Sequence, residues 1–181
     1  MSTKRFDAKH IALLSILVAL NYVGRVVFQF LPNVQPMTAI LLILTLYLGV
    51  WDGLIVATLS LILSNMILGM GPWTFAQLFS YAVIILFTGF ILRPIHSRRT
   101  KWIFVIFALL SGFFYGFVIS LVSYRTYGMT NFWVYYSVGL PFDFAHALGN
   151  AGFYIILEPI LRPLFEKLLK ERTPNEKEAG I

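Results

Sequence analysis

The sequence predicts an all-α integral membrane protein, a bundle of six transmembrane helices with both termini cytoplasmic. Three observations carry this. Of 181 residues, 59% are hydrophobic and 12% charged, against about 45–50% and about 25% in soluble domains. The apolar residues fall into six runs, each bounded by proline, glycine or basic turns. Nearly all the lysines and arginines flank those runs on one side.

The first run, residues 8–31, is predicted as a helix with unlike faces. Ala8, Ala12, Ser15 and Ala19 share one face at i, i+4, i+7 and i+11. Small residues in a row let another helix approach closely in a membrane. Near the far end sit Asn21 and Arg25, and a charge inside a span is expensive unless it meets a cavity or a partner. Two pairs of explanations stay open. The stripe meets another protein or packs within this chain; Arg25 meets a ligand or snorkels to the headgroups.

The turn PNVQP ends this run, since its two prolines cannot continue a helix. The second run, 37–50, is short for a full span of about 20 residues. Asp52 and Gly53 read as a tight turn before the third run, 54–68, which carries Ser60, Ser64 and Asn65. GMGPW separates it from the fourth, 74–92, and the basic RPIHSRRTK loop leads to the fifth, 102–123. A polar-aromatic segment, YRTYGMTNFWVYY, precedes the sixth, 140–164, and a charged tail follows, flexible over 173–181. The whole, 1–181, reads as one membrane domain.

Charge orients the bundle. Lys4, Arg5 and Lys9 precede the first run; Arg93, Arg98, Arg99 and Lys101 lie between the fourth and fifth. Arg162, Lys167, Lys170, Arg172 and Lys177 close the chain. With six spans all three groups share a side, leaving Arg25 and Arg125 towards the other, so both termini are expected in the cytoplasm. The net charge of +6 therefore reflects topology and not nucleic-acid binding.

That orientation puts PNVQP, GMGPW and the last long loop outside. They offer Asn33, Gln35, Thr38, Trp73, Gln77, Arg125, Tyr127, Asn131, Trp133, Tyr135 and Tyr136. Neutral hydrogen-bonding groups beside flat aromatics suit a pocket for a partly polar, partly planar molecule. The tyrosines and tryptophans equally suit an interfacial belt. On the sixth helix Asp143, His146 and Asn150 line one face at i, i+3 and i+7. Asp143 is expected either to meet ligand or to pair with Arg25 or Arg125. Glu158 is expected to pair with Arg162 at i+4.

What is missing narrows the function. There is no cysteine, hence no disulfide or zinc–thiolate site, and no metal site or cofactor is expected. No GxxxxGK[ST], HExxH or GxSxG motif occurs, and His10, His96 and His146 are scattered. A P-loop ATPase is therefore excluded, and an enzyme is not expected.

The small stripe, FLPNVQPMTAI (Phe30 to Ile40) and GMGPWTFAQ (Gly69 to Gln77), on a six-helix chain, resemble the substrate-binding S components of energy-coupling factor (ECF) vitamin transporters. The resemblance covers the whole chain as architecture and implies a multi-pass protein of a bacterial plasma membrane. It also implies that Ala8, Ala12, Ser15 and Ala19 dock on a transmembrane coupling subunit driven by two ATPase subunits. The S component topples to carry its vitamin inward. Ile16 stands where a third small residue of a simple AxxxA pattern would fall, which leaves the docking register open. PNVQP with GPWTFAQ looks most like the cobalamin-type S components; pantothenate, riboflavin and folate are the alternatives. Two other classes remain, a small membrane enzyme with Asp143 and His146 as acid and base, and a structural membrane subunit without ligand.

Overall fold

The computed structural model describes residues 8–97 and 100–172. Lys4, Arg5, Arg98, Arg99, Lys177 and the expected flexible tail 173–181 lie outside them. The described residues form helices and no strand: α1 (Ala8–Val27), α2 (Met37–Leu48), α3 (Val50–Leu68), α4 (Trp73–Phe87), α5 (Lys101–Thr126) and α6 (Phe132–Arg172). A π turn, Thr88–Leu92, and a 3-10 turn, Arg93–Ile95, prolong α4. All but α2 are long and apolar enough to cross a membrane, so the chain is a multi-pass membrane protein.

The short helix is the core. α2 has 12 residues, about 18 Å at the α-helical rise, against a hydrocarbon layer of about 30 Å. Eleven of the twelve are buried, as expected for a helix that is apolar all round. The last carbonyls of α2 have no partner within the helix. Arg93 supplies one, donating from Nε to Leu46 O at 3.0 Å and from Nη2 to Tyr47 O at 3.3 Å.

Side-chain pairs fix the helix directions. His10 and Asp52 meet at 3.0 Å where α1 and α3 begin, and Arg25 meets Ser64 and Asn65 where they end. The two helices are therefore parallel, and α2 carries the chain back between them. Asn65 then meets Thr74 and Gln77 at the start of α4, while Arg93 returns to the end of α2. Lys101 at the start of α5 reaches Glu158 late in α6 at 3.7 Å. Directions thus alternate, and α1 begins at the end of the bundle where α6 finishes. We call these the His10 end and the Arg25 end.

Five boundaries correct the sequence reading. The first helix stops at Val27 and not Leu31. The break before α3 falls at Gly49, whose φ of 104° favours glycine, while Asp52 and Gly53 lie in α3's first turn. There Asp52 sits at the positive end of the helix dipole. α5 extends to Thr126, past the expected Ser123. α6 starts at Phe132 instead of Leu140 and runs through Pro141, Pro159 and Pro163 to Arg172, beyond the expected Leu164. Neighbouring helices allow prolines inside membrane helices. The expected Glu158–Arg162 pair forms at 3.4 Å.

Candidate substrate pocket and docking face

Arg25 is only 6% exposed and does not snorkel. It turns inward at the Arg25 end. Its Nη1 donates to Ser64 Oγ at 2.5 Å and to Asn65 Oδ1 at 3.1 Å, and its Nε donates to Gln35 Oε1 at 3.2 Å. Asn65 passes the network on, donating from Nδ2 to Gln77 Oε1 at 2.7 Å and to Thr74 Oγ1 at 3.1 Å. All of these acceptors are neutral, so the guanidinium is hydrogen-bonded without a counter-ion among the described residues.

Two cavities open here. One, of about 350 Å³, is lined by Arg25, Gln29, Asn33, Gln35, Gln77 and Tyr115, among others. The second, of about 270 Å³, shares Asn33, Gln77 and Tyr115 and adds Trp73, Ser120 and Asp143. Asn33 holds its place between them with a φ of 58°, a left-handed conformation that asparagine tolerates better than most residues.

Asp143 is 4% exposed, and its Oδ2 has no hydrogen-bond partner. Among the described residues it makes no ion pair, so the expected pairing with Arg25 or Arg125 does not form. Its carboxylate lies where a Cβ on Gly116 would stand, which is how closely α6 approaches α5.

A buried polar cluster adjoins Tyr115, which lines both cavities. Thr38 Oγ1 is 3.4 Å from both the Tyr81 hydroxyl and His146 Nε2. The His146 ring meets Tyr115 edge-on at 4.9 Å. Asn150 is fully buried with both amide atoms unpartnered.

The sequence expectation therefore divides. Arg25, Asn33, Gln35, Trp73, Gln77 and Asp143 line the cavities, whereas Thr38, His146 and Asn150 are buried and line neither. Arg125, Tyr127, Asn131 and Tyr135 line neither cavity. Arg125 stands 5.9 Å above the Tyr124 ring, and Tyr127 is exposed. Asn131 caps α6, its Oδ1 accepting from the backbone N–H of Trp133 at 3.0 Å and Val134 at 3.2 Å. Ser64, Asn65 and Tyr115 were not expected in the site.

The other face of α1 carries Ala8, Ala12, Ser15 and Ala19, all exposed, so no described residue buries the stripe. Ser15 returns its hydroxyl to Ile11 O at 2.9 Å, so its polar hydrogen is satisfied within the helix. Ser15 and Ala19 border a groove of about 810 Å³ between α1 and α3, walled by Ile11, Leu59, Leu63 and Met66.

The described residues thus form a bundle of membrane-length helices with buried polar cavities at one end and an exposed small stripe on α1. The family model for the ECF transporter, substrate-specific component, matches residues 9–158, and the chain belongs to that family. It is a substrate-specific subunit of an ECF transporter, a transport subunit that works with a substrate and with ECF coupling and ATPase partners. No curated protein and no solved structure matches the chain. Among the described residues no cluster of three His, Cys, Asp or Glu could hold a metal ion.

Proposed function

We propose that the chain, as one membrane domain over residues 1–181, captures a water-soluble vitamin outside a bacterial plasma membrane. It delivers the vitamin inward by docking Ala8, Ala12, Ser15 and Ala19 on the coupling subunit, with two ATPase subunits supplying the energy. Six crossings and cytoplasmic termini accompany this reading. The alternating helix directions support them, as do Lys9, Arg93, Lys101, Arg162, Lys167 and Lys170 beside the His10 end.

One observation carries the reading: α1 serves both surfaces. Its buried face ends in Arg25 at the pocket, and its exposed face carries the small stripe. An enzyme or a ligand-free structural subunit would need only one of them. Arg25, Asn33, Gln35, Trp73, Gln77 and Asp143 contact the substrate; Thr38, His146 and Asn150 support them. Arg125, Tyr127, Asn131 and Tyr135 form the outer rim.

Cobalamin is the first candidate, because neutral amides at Asn33, Gln35 and Gln77 suit the amide-bearing rim of a corrin. The cavities of about 350 and 270 Å³ stand just above and just below the lower limit of small-molecule pockets, so a corrinoid requires the outer loops to part. The buried Arg25 without a carboxylate partner favours a second reading, the acids pantothenate or folate. Riboflavin would rest on Trp73 or Tyr115.

Mass spectrometry and an absorption spectrum of detergent-purified protein, then titration with these vitamins, test the proposal. A bound vitamin is expected. A folded protein that binds none of them contradicts it.

A further inference from the structure

Arg25 on α1 and Asp143 on α6 are buried charges of opposite sign that do not meet. Each lines one of two cavities that share Asn33, Gln77 and Tyr115. Burying a charge without a counter-charge is costly. Here it happens twice at one end of a small bundle. Among the described residues Arg25 hydrogen-bonds only Gln35, Ser64 and Asn65, and Asp143 Oδ2 has no hydrogen-bond partner. Gly116 leaves room for the Asp143 carboxylate, so the close approach of α5 and α6 spares that group instead of replacing it. A fold that needed only cohesion would join the two charges or carry apolar residues there.

We infer that the substrate is dipolar, seating an anionic oxygen group, carboxylate or phosphate ester, at Arg25 and an N–H or O–H donor at Asp143. The inference rests on the two cavities being the substrate site. Arg25 favours the anion because its guanidinium fork is already oriented by three neutral acceptors. Asn33, Gln77 and Tyr115, between the charges, hydrogen-bond the middle of the molecule. A substrate lacking either end leaves one buried charge unmatched, which makes the pair a selectivity filter as well as a grip.

The test uses paired probes on the full chain in detergent, with affinity read by calorimetry. The pairs are pantothenate and panthenol, folate and its dimethyl ester, and cyanocobalamin and dicyanocobinamide, which lacks the phosphodiester. Riboflavin is the uncharged control, and phosphorylethanolamine represents a lipid headgroup of the same dipolar chemistry. Within the pair that binds, the anionic member is expected to bind at least tenfold tighter. Equal binding of both members, or binding of riboflavin, overturns the inference and leaves the vitamin reading standing. Saturable binding of phosphorylethanolamine alone supports the dipolar assignment and overturns the vitamin reading. Silence from folded protein overturns both. Asp143→Asn is expected to weaken the bound probe at least tenfold while the unfolding temperature holds or rises, because the carboxylate has no partner in the unliganded chain. Unchanged affinity in that variant overturns the role of Asp143.

Discussion

Arg25 and Asn65 meet at 3.1 Å, guanidinium to amide oxygen, and through this contact α1, α3 and α4 are tied at one end of the bundle. Asn65 spends its amide N–H groups on Thr74 and Gln77, so one side chain orients both the cation and a second cavity-lining amide. Asn65→Ala is expected to cost about 1–3 kcal/mol, because it removes one of three acceptors from the buried Arg25 and the donors to Thr74 and Gln77. Ser60→Ala, which loses only a 3.4 Å hydrogen bond to Val18 O, is expected to cost under about 1 kcal/mol. Thermal unfolding of the two variants side by side checks the difference.

Asn33 separates backbone demand from ligand demand. Its φ of 58° is easy for glycine and strained for a β-branched residue. Asn33→Gly is expected to keep the unfolding temperature and weaken vitamin binding about three- to tenfold, since the amide leaves both cavities. Asn33→Val is expected to lower both, by about 1–3 kcal/mol in stability. Titration and thermal unfolding of the two variants distinguish the roles.

The polar residues that cost most in a membrane were the legible ones. Arg25, Asn33, Gln35 and Gln77 stand out in apolar surroundings, and all four line the cavities. Ser64 and Asn65 carried the same signal inside the third run, yet their part in the site depends on α3 running parallel to α1, which no local pattern states. Tyr115 lies inside the fifth apolar run with no local mark of a site, and it lines both cavities only in the packed bundle. WVYY resembles an interfacial loop and Pro141 a helix start, which hides the start of α6 in the sequence; Asn131, expected at the ligand, caps that helix. Asp52–Gly53 carries turn chemistry, but Gly49, with its positive φ, makes the break.

Gly116 on α5 faces the Asp143 carboxylate on α6. A Cβ there collides with the Asp143 carboxylate. Gly116→Ala is expected to lose about 1–3 kcal/mol through overpacking and to weaken substrate binding by displacing Asp143. Gly139→Ala, whose Cβ would stand 3.7 Å from Ser120 Oγ, is expected to change stability by under about 1 kcal/mol. Unfolding temperatures of the pair test the contrast.

His96, just beyond the turn that ends α4, packs its ring edge-on against Tyr47 at 5.2 Å and Phe104 at 5.1 Å. Burial pushes its pKa below the ordinary histidine value, and the nearby Arg162 adds to this while Glu158 and Glu166 oppose it. The unfolded chain therefore takes up this proton at higher pH than the folded one. The stability from neutral His96 is present above about pH 6.5 and is lost as pH falls through the lowered value. His96→Phe, which retains a ring for both contacts, is expected to flatten that part of the acid limb in a pH series of unfolding temperatures.

The central claim is that α1 holds substrate on one face and docks on the coupling subunit with the other. The most direct measurement is made on Ala12→Leu/Ala19→Leu, comparing vitamin affinity of the isolated subunit with uptake by the reconstituted transporter. The exposed stripe predicts affinity within about twofold of the unsubstituted chain and uptake reduced to background. Affinity that falls together with uptake, or uptake that persists, would contradict it.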